Sequence, residues 1–159
     1  MPNSYTQLYV HIVIVVKDRD NIILSTFKDN LYKYITSVIQ DRGHKLLIIN
    51  GMSDHVHILV GLNPDESISV LVKELKRNST NFINNNKFIK STFSWQSGYG
   101  AFSYSRSHLK NVIQYIENQE LHHKKKTFRE EYIELLEKFS IKYDMEYIFQ
   151  DVLDKSGTQ

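Results

Sequence analysis

Tyr5-Thr6-Gln7-Leu8-Tyr9-Val10-His11-Ile12-Val13-Ile14-Val15-Val16 reads as one long strand. Leu8, Val10, Ile12, Ile14 and Val16 share one parity, and Val13 and Val15 make the other parity apolar too, so a central position in a sheet is expected. Phe27, Leu31, Tyr34, Ile35, Val38 and Ile39 then recur at helical spacing, with Ser25 or Thr26 as the expected cap and Gly43 as the stop. Two further strands are expected at 45–49 and 55–60, turned by Asn50-Gly51-Met52-Ser53. A second helix carries Ile68, Leu71, Val72 and Leu75 and is expected to end in the Asn-rich patch 78–86, which leaves 88–89 and 93–95 as short strand material. Gly98-Tyr99-Gly100-Ala101 reads as a turn before a strand at 102–104. Ser105 or Ser107 then opens a helix running toward Lys124, and Thr127 with Glu130 forms a capping box for a last amphipathic helix. The order β-α-β-β-α-β-(β)-α-α predicts one α+β domain over 1–159, with a largely antiparallel, ferredoxin-like or RRM-like sheet and 143–159 as a docked or frayed tail.

A chain of 159 residues, 41% hydrophobic and 24% charged, can bury a core without staples and matches neither a disordered nor a membrane-embedded protein. The absence of cysteine excludes disulfides, thiol nucleophiles and thiolate-bound metals, so any metal has to sit on His, carboxylate, amide or water. No apolar run approaches the roughly 20 residues a bilayer needs, and the first residues lack an export signal, so a cytoplasmic protein is expected. The net charge of +2 argues little by itself. Its distribution says more, because 73–126 is basic and Glu130, Glu131, Glu134 and Glu137 crowd the next stretch of chain.

Within Asp54-His55-Val56-His57-Ile58-Leu59-Val60, the two imidazoles sit at i and i+2 of a strand and project from one face. They are either a hydrogen-bonded pair on a sheet surface or two ligands of one divalent ion. His11 reads as a structural polar group rather than a third ligand. On the helix after Arg106, Leu109, Val112, Ile113 and Ile116 form the apolar stripe, while His108, Asn111, Tyr115, Asn118, Gln119 and His122 line a polar face. That face is either solvated or turned toward a site. If it packs over the histidines, the weakly nucleophilic phenol of Tyr115 gains a metal-polarised phosphate as its target, and His55, His57 and the Gln119 carbonyl oxygen form an N/O site suited to Mg²⁺ or Mn²⁺. Attack on a phosphodiester would leave a phosphotyrosine and conserve the ester's energy for rejoining.

Four segments in order resemble the HUH-type single-tyrosine transposases, the TnpA-like enzymes of insertion sequences that move as single-stranded DNA. They are Tyr9-Val10-His11-Ile12-Val13, Gly51-Met52-Ser53-Asp54-His55-Val56-His57-Ile58-Leu59, Trp95-Gln96-Ser97-Gly98-Tyr99-Gly100-Ala101-Phe102-Ser103, and Tyr115-Ile116-Glu117-Asn118-Gln119-Glu120-Leu121-His122-His123. The resemblance implies metal ligation by His55, His57 and Gln119 and a 5′-phosphotyrosine on Tyr115. It also implies a homodimer, in which the tyrosine of one chain is able to serve the other, and imperfect DNA hairpins at element ends as partners. The segment Val15-Val16-Lys17-Asp18-Arg19-Asp20 departs from the more basic, aromatic stretch that related chains carry there. Lys73, Lys76, Arg77, Lys110, Lys124, Lys125 and Lys126 are candidates for phosphate contact, or otherwise form a solvated face, and Trp95, Tyr99 and Phe102 are expected to pack rather than stack on bases. A non-mobile HUH nuclease and a non-catalytic nucleic-acid-binding module are the competing expectations.

Overall fold

The computed structural model describes residues 4–144. Four strands, β1 (Tyr9–Val15), β2 (Lys45–Met52), β3 (His55–Gly61) and β4 (Gly100–Tyr104), form one sheet in the order β2-β3-β1-β4, and every neighbouring pair is antiparallel. β1 is internal, as its double-faced apolar pattern requires. Its even residues, with Val56, Ile58 and Val60 of β3, face helices α1 (Lys28–Asp41) and α2 (Ile68–Asn85) across the larger core. The opposite face of the sheet carries α3 (Leu109–Glu117), α4 (Gln119–His122) and α5 (Phe128–Lys138). The result is the expected α+β fold with an antiparallel sheet, and the structure adds that helices cover both of its faces.

Several local expectations are corrected. β1 starts at Tyr9 rather than Tyr5, because burial starts only there; Tyr5 is exposed and Leu8 partly so. Neither Ser25 nor Thr26 caps α1. The N-cap is Phe27, which makes no side-chain cap bond and is buried with its ring stacked on Phe88 at 4.8 Å. The hairpin turn is Ser53-Asp54, and Asn50, Gly51 and Met52 belong to β2. Gly51 is needed inside the strand because a Cβ there would collide with the His55 carbonyl oxygen and come within 2.9 Å of Val56 Cα.

α2 ends in the Asn-rich patch as expected, but only at its far end, at Asn85 with Asn86 as the C-cap. Asn78 and Ser79 turn back onto the carbonyls of Glu74 and Leu75, at 2.8 and 2.6 Å, so these polar groups are satisfied within the helix while Ile83 extends its buried face. Residues 88–89 and 93–95 form no strand; Trp95 makes a single bridge to Val16, and its indole N–H donates to Ser79 Oγ at 2.9 Å. Trp95 and Phe102 are buried, in line with a packing role, and Tyr99 is exposed. Ser105 Oγ meets His108 Nδ1 rather than capping a backbone N–H, and the residues between them form a 3-10 turn. Thr127 caps α5 as expected, accepting from Glu130 N at 3.2 Å. Of the expected tail at 143–159, all beyond Asp144 lies outside the described residues.

Candidate active site

Strand alternation places His55, His57 and Leu59 of β3 on the face opposite the larger core, with His11 of β1 beside them. His11, His55 and His57 are all fully buried. Each site imidazole is held through Nδ1: His55 Nδ1 is 2.7 Å from Asp54 Oδ1, and His57 Nδ1 is 2.7 Å from His11 Nε2. Both Nε2 atoms are thereby directed toward α4 and α5.

The polar helix face does pack over the histidines, but the helix is not continuous. It breaks at Asn118 (φ −96°, ψ 25°), between Tyr115 and Gln119. Asn50 of β2 explains where: its side-chain amide donates to the carbonyls of Ile116 and Glu117, at 2.9 and 3.2 Å, which a continuing helix would have used. Val112 and Ile116 seat α3 on Leu59, and the Tyr115 ring centroid comes to 5.8 Å from that of His57. After the break Gln119 is fully buried, with Oε1 3.0 Å from His55 Nε2. His122 lies against Tyr115, ring to ring at 4.7 Å. Tyr115, Gln119, His55 and His57 are therefore brought together.

The sequence reading missed the group at the centre of this cluster. Glu131, on α5, accepts from His57 Nε2 at 2.9 Å and from the Gln119 amide at 3.1 Å, and its other partners are His55 at 3.7 Å and His123 at 3.4 Å. The available signal was its position: Glu131 lies three residues after Phe128 and four before Leu135, on the buried stripe of an amphipathic helix where a carboxylate is out of place. Phe128, one turn earlier, stacks on His55 at 3.9 Å.

Charge in the cluster is set by these contacts. Burial alone would raise the Glu131 pKa, but hydrogen bonds from His123 and His57 outweigh it and hold the carboxyl well below the usual range. Burial lowers His57 to about 4 despite the Glu131 bond, and burial followed by the proximity of His57 also lowers His11 below its ordinary value. His123 moves the other way, since its Glu131 contact overcomes partial burial. Burial first, and then the Glu131 carboxylate, raise the Tyr115 phenol above its ordinary value, and its Oη is buried without a hydrogen bond of normal geometry. A cleft of about 300 Å³ lined by Tyr104, His108, Asn111, Tyr115, Glu131 and Lys138, among others, reaches this end of the cluster.

His55, His57 and Glu131 offer ligand atoms within 4.8 Å of one another, and with the Gln119 oxygen they make an all N/O donor set that fits a divalent cation. The basic candidates divide between the two layers. Lys73, Lys76 and Arg77 lie on α2, across the sheet from the histidines; Lys76 donates to the carbonyls of Gln96 and Gly98, and Arg77 pairs with Glu74. Lys110, Lys124 and Lys125 are exposed in the layer that holds the site, while Lys126 there pairs with Glu134 at 2.7 Å.

The family model described as "Transposase IS200 like" matches residues 4–119, which hold both histidines, Tyr115 and Gln119. The chain belongs to the IS200-like transposase family. A similar curated protein is the ISDra2 transposase TnpA of Deinococcus radiodurans, 30% identical over 70 residues, which are 44% of this chain and 50% of that protein. The matched stretch thus spans half the length of that relative. A crystal structure of a protein described as a transposase from Deinococcus radiodurans R1 superposes with a TM-score of 0.60 at 25% identity, covering 74% of this chain and 94% of that one. The structure of a REP-associated tyrosine transposase bound to a REP hairpin gives a TM-score of 0.59 at 18% identity, covering 76% and 72%, and bears on the fold alone. Glu131 and α5 lie beyond the family match. No described helix is long and apolar enough to cross a membrane.

Proposed function

We propose that this transposase cleaves and rejoins single-stranded DNA at insertion-sequence ends, with Tyr115 as the nucleophile and His55, His57 and Gln119 as the core of a Mg²⁺ or Mn²⁺ site. The observation that carries it is the meeting of the Tyr115 phenol with a buried histidine pair whose Nδ1 atoms are already engaged. When bound, the cation polarises the target phosphodiester and offsets charge at phosphorus. Tyr115 Oη attacks phosphorus, the bond to the 3′-oxygen breaks, and the phenolic proton is transferred in net to that oxygen, leaving a 5′-phosphotyrosine and a free 3′-hydroxyl. A 3′-hydroxyl attacking in the reverse sense rejoins the strand and restores the phenol. Gln119 and Asn50 hold the Tyr115 helix end in place, and Asp54 fixes the His55 ring.

The resemblance of the chain's four segments to single-tyrosine transposases supports a hairpin-bearing DNA partner and a homodimer. On the DNA, Lys110, Lys124 and Lys125 are the phosphate contacts placed on the site's own layer. The test is incubation with labelled single-stranded DNA carrying the flanking genomic hairpins, with and without Mg²⁺ or Mn²⁺, followed by peptide mapping of any detergent-resistant adduct. The expected adduct maps to Tyr115, requires metal and is lost in Tyr115→Phe; an adduct that persists in Tyr115→Phe removes Tyr115 from its role.

A further inference from the structure

His11 is fully buried, lies one strand over from the site and has no part in the chemistry above. Its Nε2 is 2.7 Å from His57 Nδ1, and its own Nδ1 is buried without a hydrogen-bond partner among the described residues. Phe102, Tyr104 and Tyr115 surround it at ring distances of 5.9, 6.2 and 6.4 Å, so no strong acceptor competes for it. A buried imidazole nitrogen with nothing to bond is rare enough to require a reason.

The donors and acceptors supply one. A carboxylate only accepts, so at 2.9 Å from Glu131 Oε1 the His57 Nε2 carries the hydrogen, and a neutral His57 then presents a bare Nδ1. That Nδ1 accepts from His11 Nε2–H, which leaves His11 Nδ1 as the bare atom found without a partner. A cation on His57 Nε2 needs the opposite arrangement, with the hydrogen on Nδ1. The 2.7 Å contact survives this change only if His11 also exchanges, accepting through Nε2 and carrying its own hydrogen on Nδ1. Each ring keeps one hydrogen throughout, and no proton is gained or lost.

We infer that His11 is a positioning residue that sets the tautomer of His57, and thereby decides whether His57 Nε2 is free to hold a cation. The role needs a side chain able both to give and to accept a hydrogen bond at one place. Phenylalanine does neither and lysine only gives, whereas glutamine can present its oxygen or its nitrogen by rotating. The inference rests on the metal reading of the His55, His57 and Gln119 site and assigns it a supporting residue.

The test is Mn²⁺ binding by the full chain, by calorimetry, for wild type, His11→Phe and His11→Gln, together with ¹⁵N-histidine NMR of the wild type with Zn²⁺ as a diamagnetic probe. Loss of a partner behind a ligating histidine typically costs about 10- to 100-fold in metal affinity. We expect a loss of that size in His11→Phe, recovery of most of it in His11→Gln, and a switch of the wild-type His11 Nδ1 from bare to protonated on metal loading. Wild-type affinity in a folded His11→Phe, or a His11 tautomer unchanged by Zn²⁺, overturns the inference while leaving the metal site standing. Wild type that binds no Mn²⁺ overturns the metal reading and the role of His11 with it. The NMR arm needs no variant, so the inference stays open to refutation even if His11→Phe does not fold.

Discussion

Replacing Glu131 by Gln keeps the shape of the side chain and removes the charge that four neighbours share. The amide oxygen can still accept from His57, as the carboxylate does at 2.9 Å. The new NH₂, however, is set against the Gln119 amide, which donates to Glu131 at 3.1 Å, and the ion pair with His123 at 3.4 Å is lost. Breaking a buried charge-assisted hydrogen bond typically costs about 1.5–3 kcal/mol. One such loss plus one mismatched donor amounts to about 3 kcal/mol, or a fall in Tm of roughly 6–12 °C for a domain of this size. The pH dependence has a sign on each side. Glu131 is held below its unfolded value, so its contribution is complete above the ordinary carboxylate range, near about pH 4.3, and fades as acid protonates the folded state. His123 is held above its unfolded value, so its share is complete below about pH 6.5 and fades as pH rises through the folded pKa. Calorimetric melting of both proteins from about pH 3 to 9 should therefore show the widest gap at about pH 5–6, narrowing in both directions. A gap under about 1 kcal/mol at its widest, or one that grows below about pH 4, would refute a carboxylate-centred network.

Gly51→Ala should lower stability by about 3 kcal/mol in urea titrations, since the new methyl meets the backbone at His55 and Val56 and neither can yield; a wild-type midpoint would show that the hairpin relaxes. Tyr115→Phe should leave Tm within about 2 °C of wild type, because the lost hydroxyl has no hydrogen bond of normal geometry, and a drop above about 5 °C would reveal a structural role for it. Neutralising Lys124 and Lys125 should weaken hairpin-DNA binding and flatten its salt dependence by up to about one log-log unit per contact, whereas neutralising Lys73 on the far layer should change neither; equal effects would contradict the division by layers.

Where periodicity is local and uninterrupted, the chain announced its structure. The two-faced apolar run of β1, the same-face pair His55 and His57, and the Thr127–Glu130 cap were all legible, because each depends on residues a few positions apart. The features that escaped depend on partners far along the chain. The break at Asn118 is set by Asn50. Gly51 reads locally as a turn residue, yet it is kept by a carbonyl on the next strand. Glu131 reads in the sequence as one of four acids crowding 130–137, because helical phase alone does not reveal that the buried stripe faces imidazoles rather than hydrocarbon.

Phe128 and Glu131 also lie on the two imidazoles like a shutter. His55 and His57 are sealed from solvent in this arrangement, with α5 closed over the ends of both rings. The same helix buries Phe128, Tyr132, Leu135 and Leu136 against Val13, Val15 and Phe102, so apolar packing as well as the carboxylate holds the cover in place. The helix that closes over the imidazoles lies beyond the residues the family model matches, so the seal on the site is built by a part of the chain the match does not cover.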